Sequence, residues 1–166
     1  HSTSRRQRQM CIRDRDNISG WFGQNVSEEW MADRQKMMSL LQEEAELDEI
    51  VQMVGMDALS APDRLKMEAA RSIREDFLHQ NSFHEVDTYT SLKKQLLMMR
   101  LVLAYYDRAC EALQNGARVH DLINLPVREQ IGRFKYTLEE NLDKEYENVM
   151  STLDAQTKDA CGKEDL

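Results

Sequence analysis

The stretch that decides the fold is residues 74–90, Arg-Glu-Asp-Phe-Leu-His-Gln-Asn-Ser-Phe-His-Glu-Val-Asp-Thr-Tyr-Thr. Here Asn81-Ser82 interrupts a helical apolar period, and Asp87 can cap a new helix. The period upstream repeats every four residues and is carried by Leu65, Ala69, Ile73 and Phe77. The sequence therefore predicts an elbow between two helices, flanked by the rings of Phe77 and Phe83.

Two helical segments precede this elbow. Ser27 can cap the first, whose apolar stripe extends to about residue 54, where Gly55 supplies a stop. Ser60 can cap the second, with Pro62 in the first turn and Asp63 at the capping-box position. We expect the second helix to extend to about His79.

Further helical patterns follow the elbow. A third helix capped by Asp87 should end at Asn115-Gly116, and its 27 or so residues would span roughly 40 Å. Beyond Pro126, a stripe that reaches Leu153 outlines one or two more helices. With two prolines, six glycines and no strand pair with a turn signature, the sequence predicts an all-α helical bundle of about five to six helices.

Composition divides the chain into three parts. Residues 1–15 carry five arginines and one acid and have no apolar period, so we expect a foreign-looking or disordered basic arm. Residues 16–155 form the predicted helical domain, and residues 156–166 a polar, frayed tail. A nucleic-acid or anionic-lipid site on the arm is the alternative for residues 1–15.

Charge, cysteines and hydropathy limit the function classes. Outside the arm, 17 basic residues face 29 acidic ones, a surface that repels phosphate backbones, so no nucleic-acid partner is predicted. Three widely spaced cysteines fit neither a disulfide framework nor a zinc site. No apolar run approaches the roughly 18 residues of a membrane helix, so we expect no direct membrane insertion and a cytosolic location.

Self-contained catalysis is not predicted. The six glycines never give the phosphate-loop spacing, and His79 and His84 lie five residues apart across the elbow, without further metal ligands. Cys110 lies within an apolar stripe, which is typical of an inert thiol. We therefore assign no catalytic residue and no metal ligand.

Many blocks of the chain, spread over about residues 16–153, resemble the C-terminal helical domain of the catalytic A subunit of V-type and A-type rotary ATPases. The blocks that carry the resemblance are Trp30, Ser39-Leu40-Leu41-Gln42, Glu44-Ala45-Glu46-Leu47, Ile50-Val51, Val54-Gly55, Asp63-Arg64-Leu65, Ala70-Arg71, Ile73-Arg74-Glu75-Asp76-Phe77-Leu78, Asn81, Phe83-His84-Glu85-Val86-Asp87-Thr88-Tyr89 and Leu125-Pro126-Val127-Arg128-Glu129.

The resemblance implies a lever in a rotary motor. In that family the A subunit makes or hydrolyses ATP at its interface with the B subunit, and this domain couples the reaction to the central rotor stalk and to proton or sodium transport. The chain would be a fragment without the phosphate-loop domain, with no cofactor and no activity of its own, whereas the parent enzyme uses ATP or ADP with Mg. Its place would be cytoplasmic, in the soluble head of a membrane-associated complex.

The resemblance also implies two sets of site residues. Phe77 and Phe83 match positions that line the adenine pocket, although both rings could instead simply close the core of the elbow. The rotor-contact turn comprises Met56, Asp57, Ala58, Leu59, Ser60, Ala61, Pro62 and Asp63. Since this turn keeps few charges, we expect steric contact by Met56, Leu59 and the adjoining helix ends rather than an ionic push.

A different class of function remains open from the sequence. The acidic bundle and the methionine-bearing turn would also suit a free-standing protein–protein interaction module that binds a partner helix without any ATPase activity.

Overall fold

The computed structural model describes residues 28–78 and 91–162. The chain divides into two units, residues 1–35 and 36–166, and of the first only residues 28–35 are described, as the start of a helix. Across the described ranges the secondary structure is helical without strands, so the predicted all-α class is confirmed. The predicted elbow residues Asn81, Phe83 and Asp87 lie outside these ranges.

Six α-helices and four shorter helical turns make up the described part of the chain. The α-helices are α1 (Glu28–Val54), α2 (Ala61–Ser72), α3 (Leu92–Gln114), α4 (Val119–Ile123), α5 (Val127–Arg133) and α6 (Leu142–Cys161). A π-helical turn, Ile73–Leu78, prolongs α2, and single 3-10 turns lie at Met56–Ala58, Phe134–Tyr136 and Glu139–Asn141.

Local signals set most of the helix ends. Gly55 ends α1 with φ of 88°, and Gly116 follows α3 with φ of 96°, a region that L side chains rarely adopt. Ser60 caps α2 as predicted, since its Oγ accepts a hydrogen bond from the amide of Asp63 at 3.4 Å. Helical structure then continues to Leu78, close to the predicted end at His79.

The start of α3 differs from the prediction. Ser91, rather than Asp87, is the cap of this helix, because its Oγ accepts a hydrogen bond from the amide of Lys94 at 3.1 Å. The helix has 23 residues, fewer than the 27 or so expected. Lys94 is itself 1% exposed, and its Nζ donates to the carbonyl of Thr137 at 2.7 Å. This bond holds the first turn of α3 against the segment before α6.

The core surrounds α3, which packs most extensively against α6 and α2. Fully buried apolar side chains come from all three helices and are Leu65, Ala69, Leu101, Val102, Leu142, Val149 and Leu153. Burying a large apolar side chain of this kind contributes roughly 1.5–3 kcal/mol. The central position of α3 explains why its stripe is buried on several sides.

The frayed tail expected from residue 156 does not begin there, because α6 continues to Cys161. Thr157 and Ala160 are buried and continue the apolar face of Val149 and Leu153 at helical spacing. The hydroxyl of Thr157 donates to the carbonyl of Leu153 at 2.8 Å, which satisfies it inside the core. Packing therefore orders residues whose composition alone is typical of a frayed end.

Candidate functional site

The turn between α1 and α2 is a short, hydrogen-bonded reversal of the chain. Gly55 begins it, and the Met56–Ala58 3-10 turn is closed by hydrogen bonds from the Ala58 amide to Gly55 O at 3.4 Å and from the Leu59 amide to Met56 O at 3.2 Å. Ser60 then starts α2. The structure thus brings the predicted rotor-contact residues together in one compact turn.

Leu59 is the anchor of this turn. Its side chain is only 8% exposed, so it belongs to the buried core rather than to the surface of the turn. The expected steric contact by Leu59 is therefore not available at the surface of this chain. Met56, the other residue named for that contact, is exposed.

Exposed apolar side chains lie at the end of α1 and at the start of the turn. They form what we call the apolar tip, composed of Ile50, Met53, Val54 and Met56. Met53 is the most prominent of them, with 84% of its surface exposed. A group of exposed apolar side chains on one element is typical of a contact surface for another protein.

The last half of α1 has no buried residue. From Leu41 to Val54 every side chain is exposed or half-buried, including the apolar stripe that continues through Leu47 and Val51. Earlier in the helix, Met37 and Leu40 are buried. The C-terminal part of α1 is thus apolar enough to be covered, yet only partly covered by the described residues.

The turn carries few charged side chains, and their ion pairing is weak. The fully exposed carboxylate of Asp57 lies 3.4 Å from Nη2 of Arg64, and a pair so open to solvent adds little stability. Ser60 and Pro62 are exposed, whereas Ala61 and Asp63 are half-buried at the start of α2. The turn therefore presents mainly apolar surface.

Ion pairs attach α1 to α2 behind the turn. Lys66 Nζ lies 3.0 Å from Oε2 of Glu43, and this hydrogen bond is the main reason why the pKa of Lys66 is raised. Arg74 donates to the neighbouring Glu44. These pairs hold the two helices together about three turns before the end of α1.

A second polar arrangement lies on the opposite end of α2 and was not predicted. Glu68, Ser72 and Asp76 are spaced four residues apart, so they share one helical face, and this face meets Arg128 and Gly132 of α5. We call these five residues the polar seam.

Arg128 is the centre of the polar seam. Its Nη1 donates to Glu68 Oε2 at 2.9 Å and to the carbonyl of Ile123 at 2.8 Å, and its Nη2 donates to Ser72 Oγ at 2.8 Å. The guanidinium also stacks over the ring of Tyr105, 5.0 Å from its centroid. Burial raises the pKa of Tyr105 to about 12, and its hydroxyl donates to the carbonyl of Leu122 at 2.9 Å.

Asp76 closes the polar seam at the π-helical turn. Its Oδ1 would lie 3.0 Å from a Cβ built on Gly132, so the carboxylate nearly touches the backbone of α5. Burial raises the pKa of Asp76, although the charge of Arg128 opposes that shift.

The predicted adenine-pocket pair is only partly covered by the structure. Phe77 belongs to the π-helical turn, directly after Asp76, but its side chain is not described. Phe83 lies outside the described residues, so the pairing of the two rings stays a prediction.

The described residues include neither a cluster of metal ligands nor a membrane-spanning helix. Among residues 28–78 and 91–162, no group of three or more His, Cys, Asp or Glu side chains is arranged to hold a metal ion. The helices of these same ranges include none with the length and hydropathy needed to cross a bilayer.

Comparisons with known proteins converge on one family. The family model described as the C-terminal domain of V and A type ATP synthase matches residues 19–123. The V-type ATP synthase alpha chain of Acetivibrio thermocellus is 50% identical over 149 residues, which are 90% of this chain and 25% of that protein.

Two further relatives agree with this match. The V-type ATP synthase alpha chain of Clostridium botulinum is 56% identical over 128 residues, 77% of this chain and 22% of that protein. The alpha chain of Clostridioides difficile is 49% identical over 148 residues, 89% of this chain and 25% of that protein. The chain thus spans about a quarter of the length of these relatives.

Proposed function

Since this chain belongs to the family of C-terminal domains of V- and A-type ATP synthases, we propose that it is the lever domain of a catalytic subunit. In the whole subunit it would couple the hydrolysis or synthesis of ATP, at the interface with a B subunit, to rotation of the central stalk. Rotation would in turn drive proton or sodium transport. The domain would lie in the cytoplasmic head of the complex, peripheral to the membrane.

The unburied end of α1 is the observation that carries this proposal. The apolar tip presents large apolar side chains that stay exposed in the described part of the chain, Met53 most of all. The turn is supported by the buried Leu59 and by ion pairs from Glu43 and Glu44 that join α1 to α2. A packed element of this kind can transmit force by steric contact to a partner.

The character of the apolar tip favours a steric contact over an ionic one. Asp57 is the exposed charge of the turn, and it is already paired with Arg64. The contact would instead depend on Met53, Val54 and Met56, whose flexible or branched apolar side chains adapt to an opposing helix. Burying one such side chain contributes roughly 1.5–3 kcal/mol.

Nucleotide would be bound by the whole subunit rather than by this chain alone. Phe77 and Phe83 would supply aromatic surface to the adenine of ATP or ADP, and the phosphates and Mg would be held by parts of the subunit outside this sequence. We therefore expect negligible binding of free ATP to the chain. A calorimetric titration that gave micromolar affinity would contradict this expectation.

The test uses the complete catalytic subunit, assembled with its partner subunits in membranes. Met53→Lys places an ammonium group at the centre of the apolar tip, while lysine remains a good helix former. We expect ATP hydrolysis to continue while the number of ions transported per ATP falls. Enlarging Ala58 or Ala61, at the turn itself, should have the same effect.

Met38→Lys is the matched control. Met38 is also an exposed methionine of α1, 58% exposed, but it lies 15 residues before Met53, or about 22 Å along the helix. This variant should transport ions with unchanged stoichiometry. Equal transport per ATP in the Met53 and Met38 variants would rule out the lever contact at the apolar tip.

A further inference from the structure

We propose that the chain has a second docking surface, separate from the apolar tip, by which it packs on the rest of its own catalytic subunit. We call this surface the Leu138 patch, and it consists of Leu92, Tyr136, Leu138, Glu139 and Glu140. The surface that covers it presents apolar side chains beside arginine or lysine. This assignment depends on the proposed function only for the premise that the chain is part of a longer subunit.

The large exposed apolar side chains of the described residues are grouped rather than scattered. Six belong to α1 and its turn, and the other three are Leu92, Tyr136 and Leu138, which are 48%, 36% and 51% exposed. The ammonium of Lys94 donates to the carbonyl of Thr137 at 2.7 Å, which joins the turn of α3 that begins with Leu92 to the segment that carries the other two. Grouped apolar side chains at one end of a bundle are typical of a contact surface.

The connection between α5 and α6, residues 134–141, is held at both ends and in the middle. Phe134 is 1% exposed, and Leu142, the first residue of α6, is fully buried. Lys94, itself 1% exposed, holds the middle through its bond to Thr137. Burying an ammonium group is costly, so a strong constraint is placed on a surface connection. Residues 138–141 are all exposed on this fixed support, and they lose little conformational freedom when a partner covers them.

Two carboxylates determine the charge of the partner. Glu139 and Glu140 directly follow Leu138 and are exposed, and in the described part of the chain neither has an ion-pair partner. The nearby acid Asp143 differs, since its Oδ2 lies 2.7 Å from Nζ of Lys93. Unpaired negative charges beside an apolar side chain repel a second copy of the same surface and attract arginine or lysine.

The size of the Leu138 patch favours a partner that is covalently linked. Its five residues are far fewer than the roughly 20–30 residues a side that form a stable interface between separate proteins. A small contact is sufficient within one chain, because covalent linkage supplies an effective concentration of roughly millimolar order. The matched part is only 25% of the Acetivibrio thermocellus alpha chain, so a large remainder of such a subunit is available to cover the patch.

Hydrogen exchange of residues 134–141, followed by mass spectrometry, tests this docking surface. It is compared in the 166-residue chain, in the complete catalytic subunit alone and in the assembled complex. We expect exchange to slow by about tenfold or more from the chain to the complete subunit, with no further slowing in the complex. Equal exchange in all three samples would overturn the docking surface. Slowing that appears only in the complex would overturn the covalently linked partner, since a separate subunit would then cover the patch.

Leu138→Lys in the complete subunit tests the apolar contact. It removes the apolar side chain and places a positive charge opposite a basic surface, so exchange of residues 134–141 should return to the rate of the 166-residue chain. Leu138→Met is the control, because methionine keeps an apolar side chain of similar size, and the slow exchange should persist. Slow exchange that survived in the Leu138→Lys subunit would contradict the assignment.

A charge variant keeps the test valid if the Leu138→Lys subunit folds poorly. Glu139→Lys combined with Glu140→Lys should also speed the exchange, whereas Glu147→Lys, at an exposed acid further along α6, should not. Equal exchange in these two variants would overturn the basic character of the partner. Met53→Lys, which tests the lever contact, should leave exchange at residues 134–141 unchanged, so either proposal can fail without the other.

Discussion

Replacing Arg128 by methionine should destabilise the chain far more than replacing any surface arginine. The Arg128 and Glu68 side chains are 19% and 13% exposed, so removing the guanidinium leaves a largely buried carboxylate without its main partner. Loss of one member of such a pair costs about 3–5 kcal/mol. Methionine preserves the packing of the aliphatic stem, so the loss reports on the polar contacts.

The lower end of this range is the expected value. Arg71 lies 3.6 Å from the same Glu68 oxygen and can replace part of the lost attraction. We therefore expect Arg128→Met to lower the free energy of unfolding by about 3 kcal/mol. For a domain of this size, that loss lowers the Tm by about 6–12 °C.

Urea unfolding of the full 166-residue chain, followed by far-UV circular dichroism, measures the effect. Arg108→Met is the control, because Arg108 pairs with Asp154 at 2.7 Å but the two side chains are 43% and 53% exposed. Its loss should cost no more than about 1 kcal/mol. Glu68→Gln, alone and combined with Arg128→Met, completes a double-mutant cycle.

Two results would refute the reasoning. One is an equal loss of stability in the Arg128 and Arg108 variants, which would mean that burial adds nothing to the pair. The other is a coupling energy between Arg128 and Glu68 within about 0.5 kcal/mol of zero, the size found for independent sites.

Two further predictions concern the turn and the polar seam. Leu59→Ala should lower the free energy of unfolding by about 2–4 kcal/mol, because Leu59 is buried. Met56→Ala should change it by less than about 0.5 kcal/mol, because Met56 is exposed. Similar losses for the two variants in urea unfolding would contradict this prediction. Asp76→Asn should stabilise the chain at neutral pH, since burial raises the folded-state pKa of Asp76 and the charged form is therefore disfavoured by folding. The advantage should vanish below about pH 4, where the parent carboxyl is protonated in the unfolded state as well, and an advantage that grew on acidification would contradict the assigned shift.

Three helix ends were predicted from local sequence alone. Gly55 and Gly116 mark the ends of α1 and α3 because a positive φ is easily reached only without a Cβ. Ser60 marks the start of α2 because its hydroxyl can accept from an amide three residues later. These features depend on neighbours within a few residues, so they are readable from the chain.

The cap of α3 shows that local sequence does not decide every helix end. Asp87 and Ser91 are both residue types that cap helices, and they lie one turn apart. The structure selects Ser91, where Lys94 is buried and bonded to Thr137, 43 residues later. Local chemistry offers both residues as caps, and at Ser91 a distant contact of Lys94 accompanies the capping bond.

The turn between α1 and α2 was predicted from the sequence but its packing was not, and its role as a contact site stays a prediction. The sequence shows the residues of the turn, but it does not show that Leu59 is buried while Met56 is exposed. Arg128 and Glu68 are 60 residues apart, and no local pattern pairs them. The four-residue spacing of Glu68, Ser72 and Asp76 was a signal of a shared helical face, but not of what lies opposite.

By itself, the sequence determined the all-α class, the approximate helices and the resemblance that the comparisons confirm, because periodicity, caps and glycine stops act over one or two helical turns. Tertiary structure decided which apolar faces are covered and which, like the apolar tip, stay exposed. It also decided that Arg128 meets α2, that Gly132 meets the π-helical turn, and that α6 remains helical to Cys161. Those outcomes depend on contacts between residues distant in the chain, where the burial of one side chain is set by the position of another helix.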